Sequence, residues 1–385
     1  MPAIDRIAGY ADELTAIRRD FHEHPELGFQ ETRTSGIVAE KLRGWGIETT
    51  TGVGGTGVVG VLKGSRPGRT VGLRADMDAL PIDEQTNLPW ASKTPGVMHA
   101  CGHDAHTAML LGAARYLAET RDFAGAAVFV FQPAEEGLGG ARAMLADGLF
   151  ERFPVDEIYG IHNSPYHEFG VVGVKPGPAM AGANFFDIRI TGKGSHAAMP
   201  EVGRDPIVVT TALVQQLQTI VSRNLKPTEA AVLSVTRMQA GSAYNVIPET
   251  AEIAGTVRYF DDGAAEMISG RIREIAAGLA AAYGVEIAVE IRNVFDVLVN
   301  DAALSDAMAA AAAELVGAER AGLKADRVMG SEDFADMLRA APGAYCTIGH
   351  KGDAPLHNPA YVFDDDALPL GASLLARMVE TRGAA

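Results

Sequence analysis

The feature that most constrains this chain is how its apolar residues are grouped. Short, uniformly apolar runs of strand length occur at 56–62 (TGVVGVL), 70–75 (TVGLRA), 126–131 (AAVFVF), 157–162 (EIYGIH) and 344–350 (AYCTIGH). Between and around them lie stretches of helical periodicity at 32–46, 103–120, 140–150, 301–318, 331–340 and 367–383. A strand that is apolar on both sides must be covered on both sides. Such strands alternating with helices predict an α/β fold built on a mainly parallel sheet flanked by helices. A first helix is predicted over 5–24, with Ile7, Leu14, Ile17 and Phe21 on one face and Pro25 ending it.

The pattern changes in the middle of the chain. FFDIRITG at 185–192 alternates in and out, as does VEIAVEIRN at 285–293. Asp205 followed by Pro206 is a helix start, and the helix it opens runs to about Arg223. Two strands at 230–239 and 251–260 come next, then a helix over 264–284. The order β-α-β-β-α-β marks a two-layer sandwich. It is expected as an inserted domain over 181–293, with 1–180 plus 294–385 forming the other domain.

Composition narrows the function classes. The chain has 385 residues, 47% of them apolar and 21% charged, which suits two folded domains and excludes disorder. Its formal net charge of −16, with no basic patch, argues against nucleic-acid binding. No window approaches the ~18 uncharged apolar residues needed to cross a bilayer, and the first segment lacks the apolar core of a signal peptide. No membrane association is therefore expected. The only two cysteines, Cys101 and Cys346, are far apart, so no disulfide framework is expected and a reducing cytoplasm fits best.

Potential metal ligands cluster at the ends of the predicted strands. Asp76 and Asp78 follow the run at 70–75; Glu135 and Glu136 follow the run at 126–131. His162 closes the run at 157–162, His357 follows the run at 344–350, and Cys101, His103, Asp104 and His106 precede a helix. If the strands are parallel, these groups converge beyond one sheet edge. A thiolate with imidazoles and carboxylates suits Zn or another first-row divalent ion. Each residue also has a plainer reading. Cys346 reads as a buried small hydrophobe and His22 and His24 as structural residues at a helix end, while His167 and His350 are taken as surface or structural. His99 and His106 are open between ligand and supporting partner.

Several long stretches go further: RADMDALP (74–81), MHACGHDAH (98–106), FQPAEEG (131–137), GIHN (160–163), GKGSHAAMP (192–200) and NVIPETAEIAGTVR (245–258). Taken together and in order, they make the chain resemble the hippurate hydrolase and indole-acetyl-amino-acid amidohydrolase family. That family lies within the larger aminoacylase and carboxypeptidase G-type metallopeptidase superfamily. The resemblance runs from about residue 10 to about residue 380. It implies a zinc-peptidase-like catalytic domain with an inserted lid and dimerisation domain, and two divalent metal ions per subunit (Zn, Mn, Co or Ni). The family's metal ligands fall on Cys101, His103, Glu136, His162 and His357, its general base on Glu135, and a carboxylate that orients a ligand imidazole on Asp78. Cys101 takes the place of a bridging carboxylate used elsewhere in the superfamily, and Asp76 that of a first histidine ligand.

The same resemblance assigns His196 to the active site of the partner subunit in a homodimer, and Asn245 and Arg258 to the substrate's amide oxygen and carboxylate. Strand alternation separately puts Arg258 on one face with Glu252 and Thr256, where a solvated arginine is the plainer reading. The implied reaction is metal-dependent hydrolysis of a small N-acyl amino acid, with an aromatic-acyl or acetyl group, to a carboxylate and a free amino acid. Two rivals are a cysteine amidase using Cys101 with His103 or His106, and a non-catalytic binding protein of the same fold. Phe185, Phe186, Met180, Met199 and Phe334 are candidates for an acyl pocket, or simply core.

Overall fold

A computed structural model describes residues 3–324 and 326–384. The chain forms two compact units. The larger comprises Met1–Gly177, Val299–Asp326 and Asp333–Ala385; the smaller comprises Pro178–Leu298 and Arg327–Glu332. These divisions fall a few residues outside those expected from sequence. The segment Arg327–Glu332 joins the smaller unit because the Val328 N–H donates to the Ala179 carbonyl at 2.9 Å and the Ala181 N–H donates to the Val328 carbonyl at 3.1 Å.

The larger unit is built on an eight-stranded sheet. Four adjacent strands form its centre: Ala124–Gln132, Arg66–Asp76, Glu157–Ser164 and Gly343–Gly349, all parallel. Antiparallel strands finish both sides. The centre is apolar on both faces, with Val71, Leu73, Phe129, Phe131, Ile158 and Ile348 buried. Helices Thr32–Gly44, His103–Thr120, Ala302–Val316 and Leu368–Arg382 pack against its strands. Helix His103–Thr120 is buried along most of its length, which its run of alanine, leucine and methionine permits.

Where local residues compete, elements break differently from the pattern. The first helix divides at Gly9 into Asp5–Ala8 and Ala11–Glu23. Gly148, at φ 79°, separates Gly140–Ala146 from Leu149–Arg152. Only Phe334–Ala340 of the stretch 331–340 is helical. Glu48–Val53 is an edge strand without an apolar signature; pairing with Gly57–Lys63 makes it one.

In the smaller unit, four antiparallel strands lie in the order Ala231–Ala240, Thr250–Tyr259, Gly182–Thr191, Glu286–Phe295. Helices Pro206–Arg223 and Asp262–Tyr283 pack on this sheet. Ile188, Ile190, Leu213, Leu217, Ile253, Val257, Ile268 and Ile272 are the heart of its core. Both helices are capped as their sequences suggest: Asp205 accepts from the Ile207 N–H and Asp261 from the Ala264 N–H. No described helix is long and apolar enough to cross a membrane.

Candidate metal centre

The four central strands end side by side, and the groups that follow them gather in the larger unit. Cys101, His103 and His162 present ligand atoms within 4.8 Å of one another. So do Cys101, Glu136 and His357, and so do His103, Glu135 and Glu136. Cys101 Sγ lies 3.4 Å from His162 Nε2, and His357 Nε2 lies 3.2 Å from Glu136 Oε1. The five residues Cys101, His103, Glu136, His162 and His357 thus form two linked groups that share Cys101.

Two of the candidate imidazoles are held from behind. His103 Nδ1 donates to the Asp78 carbonyl at 2.9 Å and sits 3.1 Å from Asp78 Oδ1, which leaves Nε2 facing the cluster. Asp78 also accepts from the Glu136 N–H at 2.9 Å, so one carboxylate orients two candidate ligands. His162 Nδ1 donates to the Asn163 carbonyl at 2.6 Å, again freeing Nε2. His106 is spent: Nδ1 donates to Asp76 Oδ1 at 2.6 Å and Nε2 accepts from the Asn163 N–H at 3.0 Å. Its role is support. Asp76 in turn accepts from the Arg74 guanidinium at 2.7 Å.

Two strained residues flank the cluster. Ala134, directly before Glu135, has φ 54°, and His357 has φ 62°; both are left-handed values unusual for residues with a Cβ. The Ala134 turn is fixed by its N–H donating to the buried Glu31 carboxylate at 2.9 Å. The His357 N–H donates to the Ala100 carbonyl at 2.8 Å, tying its loop to the Cys101 segment.

The donor set fits divalent cations. His103 Nε2 is buried without a hydrogen-bond partner, a costly state that a bound cation would relieve. His103 Nε2 stands 3.8 Å from Asp76 Oδ2 and 4.0 Å from Glu135 Oε2. The acidic groups leave their mark on the histidines. Burial alone would lower His103, but Asp76 and Cys101 outweigh it and raise its pKa well above the usual value. Hydrogen bonds to Cys101 and Glu136 raise His357 to about 10. Burial and the neighbouring His106 push His162 down, and burial with the nearby Glu136 pushes the Cys101 thiol up. The raised pKa values of His103 and His357 register the surplus negative charge around them, which bound cations would offset.

The remaining candidates belong to the smaller unit. His196 is exposed, on a two-residue strand paired with Val246–Ile247, and the Ala197 N–H donates to the Asn245 carbonyl at 3.0 Å. The strand pair therefore places His196 beside Asn245. His196 Nδ1 accepts from the Ala198 N–H at 3.1 Å, which leaves Nε2 to carry a proton outward. Arg258 is half-buried on Thr250–Tyr259, donates to Ser331 Oγ at 2.6 Å and lies over the Phe185 ring. Of the acyl-pocket candidates, Phe186 and Phe334 are core, while Met199 is exposed.

Comparison with known proteins settles the kinship. The model of peptidase family M20/M25/M40 matches residues 72–381. The chain belongs to this family. Among its M20 relatives, hippurate hydrolase of Campylobacter jejuni is 43% identical over 378 residues, covering 98% of each chain. N-acetylcysteine deacetylase of Bacillus subtilis is 41% identical over 371 residues, covering 95% of each. The solved structure of Bacillus subtilis YXEP, described as a dinuclear metal binding peptidase, superposes with a TM-score of 0.85 at 38% identity, covering 98% of this chain and 99% of that one. These names place the M20 chain in a family of hydrolytic enzymes.

Sequence reading passed over several residues that hold the M20 site. Arg74 is buried and reaches Gln132 at 2.8 Å, Asp76 at 2.7 Å and Asp333 at 3.2 Å. Asp333 also accepts from the Gln132 amide at 2.6 Å and the Ala141 N–H at 3.0 Å, and its own N–H lies 3.3 Å from Glu135 Oε1. Arg74, Gln132 and Asn163 stand inside the recognised motifs, next to the candidate ligands. Asp333 and Glu31 carry no comparable local signal.

Proposed function

We propose that this protein hydrolyses the amide bond of N-acyl amino acids, with an aromatic-acyl or acetyl group, releasing a carboxylate and a free amino acid. The observation that carries the proposal is the pairing of a cation-binding donor set with a further carboxylate, Glu135, that the set does not need. Cys101, His103, Glu136, His162 and His357 would hold two divalent ions, Zn, Mn, Co or Ni. Such ions supply Lewis acidity at the scissile carbonyl and lower the proton affinity of the attacking water.

The side chains do the rest. Glu135 takes the water's proton on a carboxylate oxygen and returns it to the departing amine nitrogen. The His196 Nε2–H donates to the developing oxyanion. Asn245 holds the amide oxygen. Arg258 has no ion-pair partner among the described residues, and it clamps the substrate carboxylate, so a non-reacting group orients the reacting one. His196 acts in the partner subunit of a homodimer, and the reduced Cys101 thiol suits a cytoplasmic enzyme.

The rival thiol mechanism suits the surroundings poorly. Cys101 is buried, its pKa is raised, and Glu136 stands beside it, so the thiolate a nucleophile needs is disfavoured unless cations bind. The test is a hydrolysis screen of benzoyl-, indole-acetyl- and acetyl-amino acids by chelator-treated and metal-reloaded protein. Turnover that disappears with the chelator and returns with Zn, Mn, Co or Ni is expected. Turnover that survives chelation and stops on thiol alkylation would establish the cysteine amidase. No turnover on the panel with metal bound would favour a binding protein.

A further inference from the structure

We propose that Asn163 is a positioning residue that fixes Cys101 and His162 face to face, so that thiolate and imidazole meet at one cation. The proposal rests on the metal reading above. Asn163 follows His162 on the strand Glu157–Ser164 and is 2% exposed. Its backbone carbonyl accepts from His162 Nδ1 at 2.6 Å, and that bond turns Nε2 toward Cys101 Sγ, 3.4 Å away. Its side-chain Nδ2 donates to the Cys101 carbonyl at 2.6 Å and lies 3.0 Å from His106 Nε2. On the other side, Oδ1 accepts from the Tyr361 hydroxyl at 2.7 Å and from His350 Nε2 at 3.0 Å.

The amide is used on both sides, and reversing it would set its oxygen against the Cys101 carbonyl. One side chain thus ties together the Cys101–Gly102 turn, the end of a central strand, and the segment from His350 to Tyr361 that carries His357. The turn is shaped for it. Gly102 has φ 88°, and a Cβ there would lie 2.3 Å from Asn163 Nδ2. Without the Nδ2–H donor, the Cys101 carbonyl loses its partner and the thiol is free to turn from His162. Asn163 touches no reacting atom in this account; it acts through the two ligands.

The experiment uses the full chain freed of metal and titrated with Co(II). Binding is followed by equilibrium dialysis and by the thiolate-to-cobalt charge-transfer absorption, which reports the Cys101 bond itself. Asn163→Asp keeps the side-chain volume and removes the donor. It should weaken Co(II) binding ~10–100-fold and diminish the charge-transfer band, with the circular dichroism spectrum unchanged. Tyr361→Phe deletes only the hydroxyl that anchors Oδ1 and should shift both readouts the same way by a smaller factor. A band present in the unaltered chain and fully kept, at equal affinity, in both variants overturns the proposal. If Asn163→Asp does not fold, Tyr361→Phe decides alone by the same criterion. Absence of the band in the unaltered chain overturns the metal reading itself, and this proposal with it.

Discussion

Two arginine–aspartate networks, one in each unit, use the same chemistry to different ends. In the larger unit Arg74 joins Asp76 and Asp333 with all three side chains at most 1% exposed. In the smaller unit Asp187 pairs with Arg237 at 3.0 Å and Arg292 at 2.8 Å, all at least 36% exposed. Water screens the second network, and its members can separate at little cost. The first has no water to fall back on, so each group depends on the others being in place. That dependence suits the candidate metal centre: Asp76 fixes His106, and the Asp333 backbone N–H faces Glu135. Position is over-determined where chemistry needs it and loose where only a sheet face meets solvent.

Four substitutions sharpen this contrast. The largest effect is expected from Glu135→Ala, which should lower turnover ~10²–10⁴-fold while metal content by elemental analysis stays unchanged. Near-normal turnover would remove Glu135 from the mechanism. Asp333→Ala removes one of the carboxylates facing the buried Arg74 guanidinium, and with it the acceptor of the Gln132 amide and the Ala141 N–H, and should cost about 3–5 kcal/mol in urea unfolding. A loss under 1 kcal/mol would show that the buried network is no tighter than the exposed one.

The third concerns pH. Burial, with the nearby charge of Arg18, lowers His350 to about 4 from the usual 6.5. Between those values the unfolded chain takes up a proton that the folded chain refuses. Stability is therefore kept above about pH 6.5 and lost as pH falls toward 4, by about 3 kcal/mol at the acid end. His350→Gln should flatten that part of the loss, measured by urea unfolding at pH 7 and pH 4.5; an unchanged acid loss would contradict the assignment. The smallest effect is expected from Asp187→Ala, whose urea midpoint should move roughly ten times less than that of Asp333→Ala. A comparable shift would erase the contrast between the units.

How much could be read beforehand follows from the same physics. The strands Ala124–Gln132 and Glu157–Ser164 announce themselves because burial on both faces leaves only apolar residues, glycine and a tyrosine between their first residue and Gln132 or His162. The candidate ligands Glu136 and His162 are legible because they stand at or just beyond the ends of those apolar runs, and His103 because it opens a helix within MHACGHDAH. Edge strands such as Glu48–Val53 were not, because their pairing partner, rather than their composition, makes them strands. His106 illustrates the limit within the site. Its spacing suits a ligand, and only the contacts with Asp76 and Asn163 reveal that both ring nitrogens are committed. Asp333 is harder still: it lies far along the chain from Arg74 and was read as helix, yet its side chain meets Arg74, Gln132 and Ala141.

Cys101, His103, Glu136, His162 and His357 are proposed to grip two cations in one pocket. Anomalous diffraction from crystals grown with Mn or Zn tests it directly. The account predicts two peaks per chain ~3.5–4 Å apart, with Cys101 touching both. Peaks elsewhere on the surface, or no peak among these five side chains at saturating metal, would contradict it.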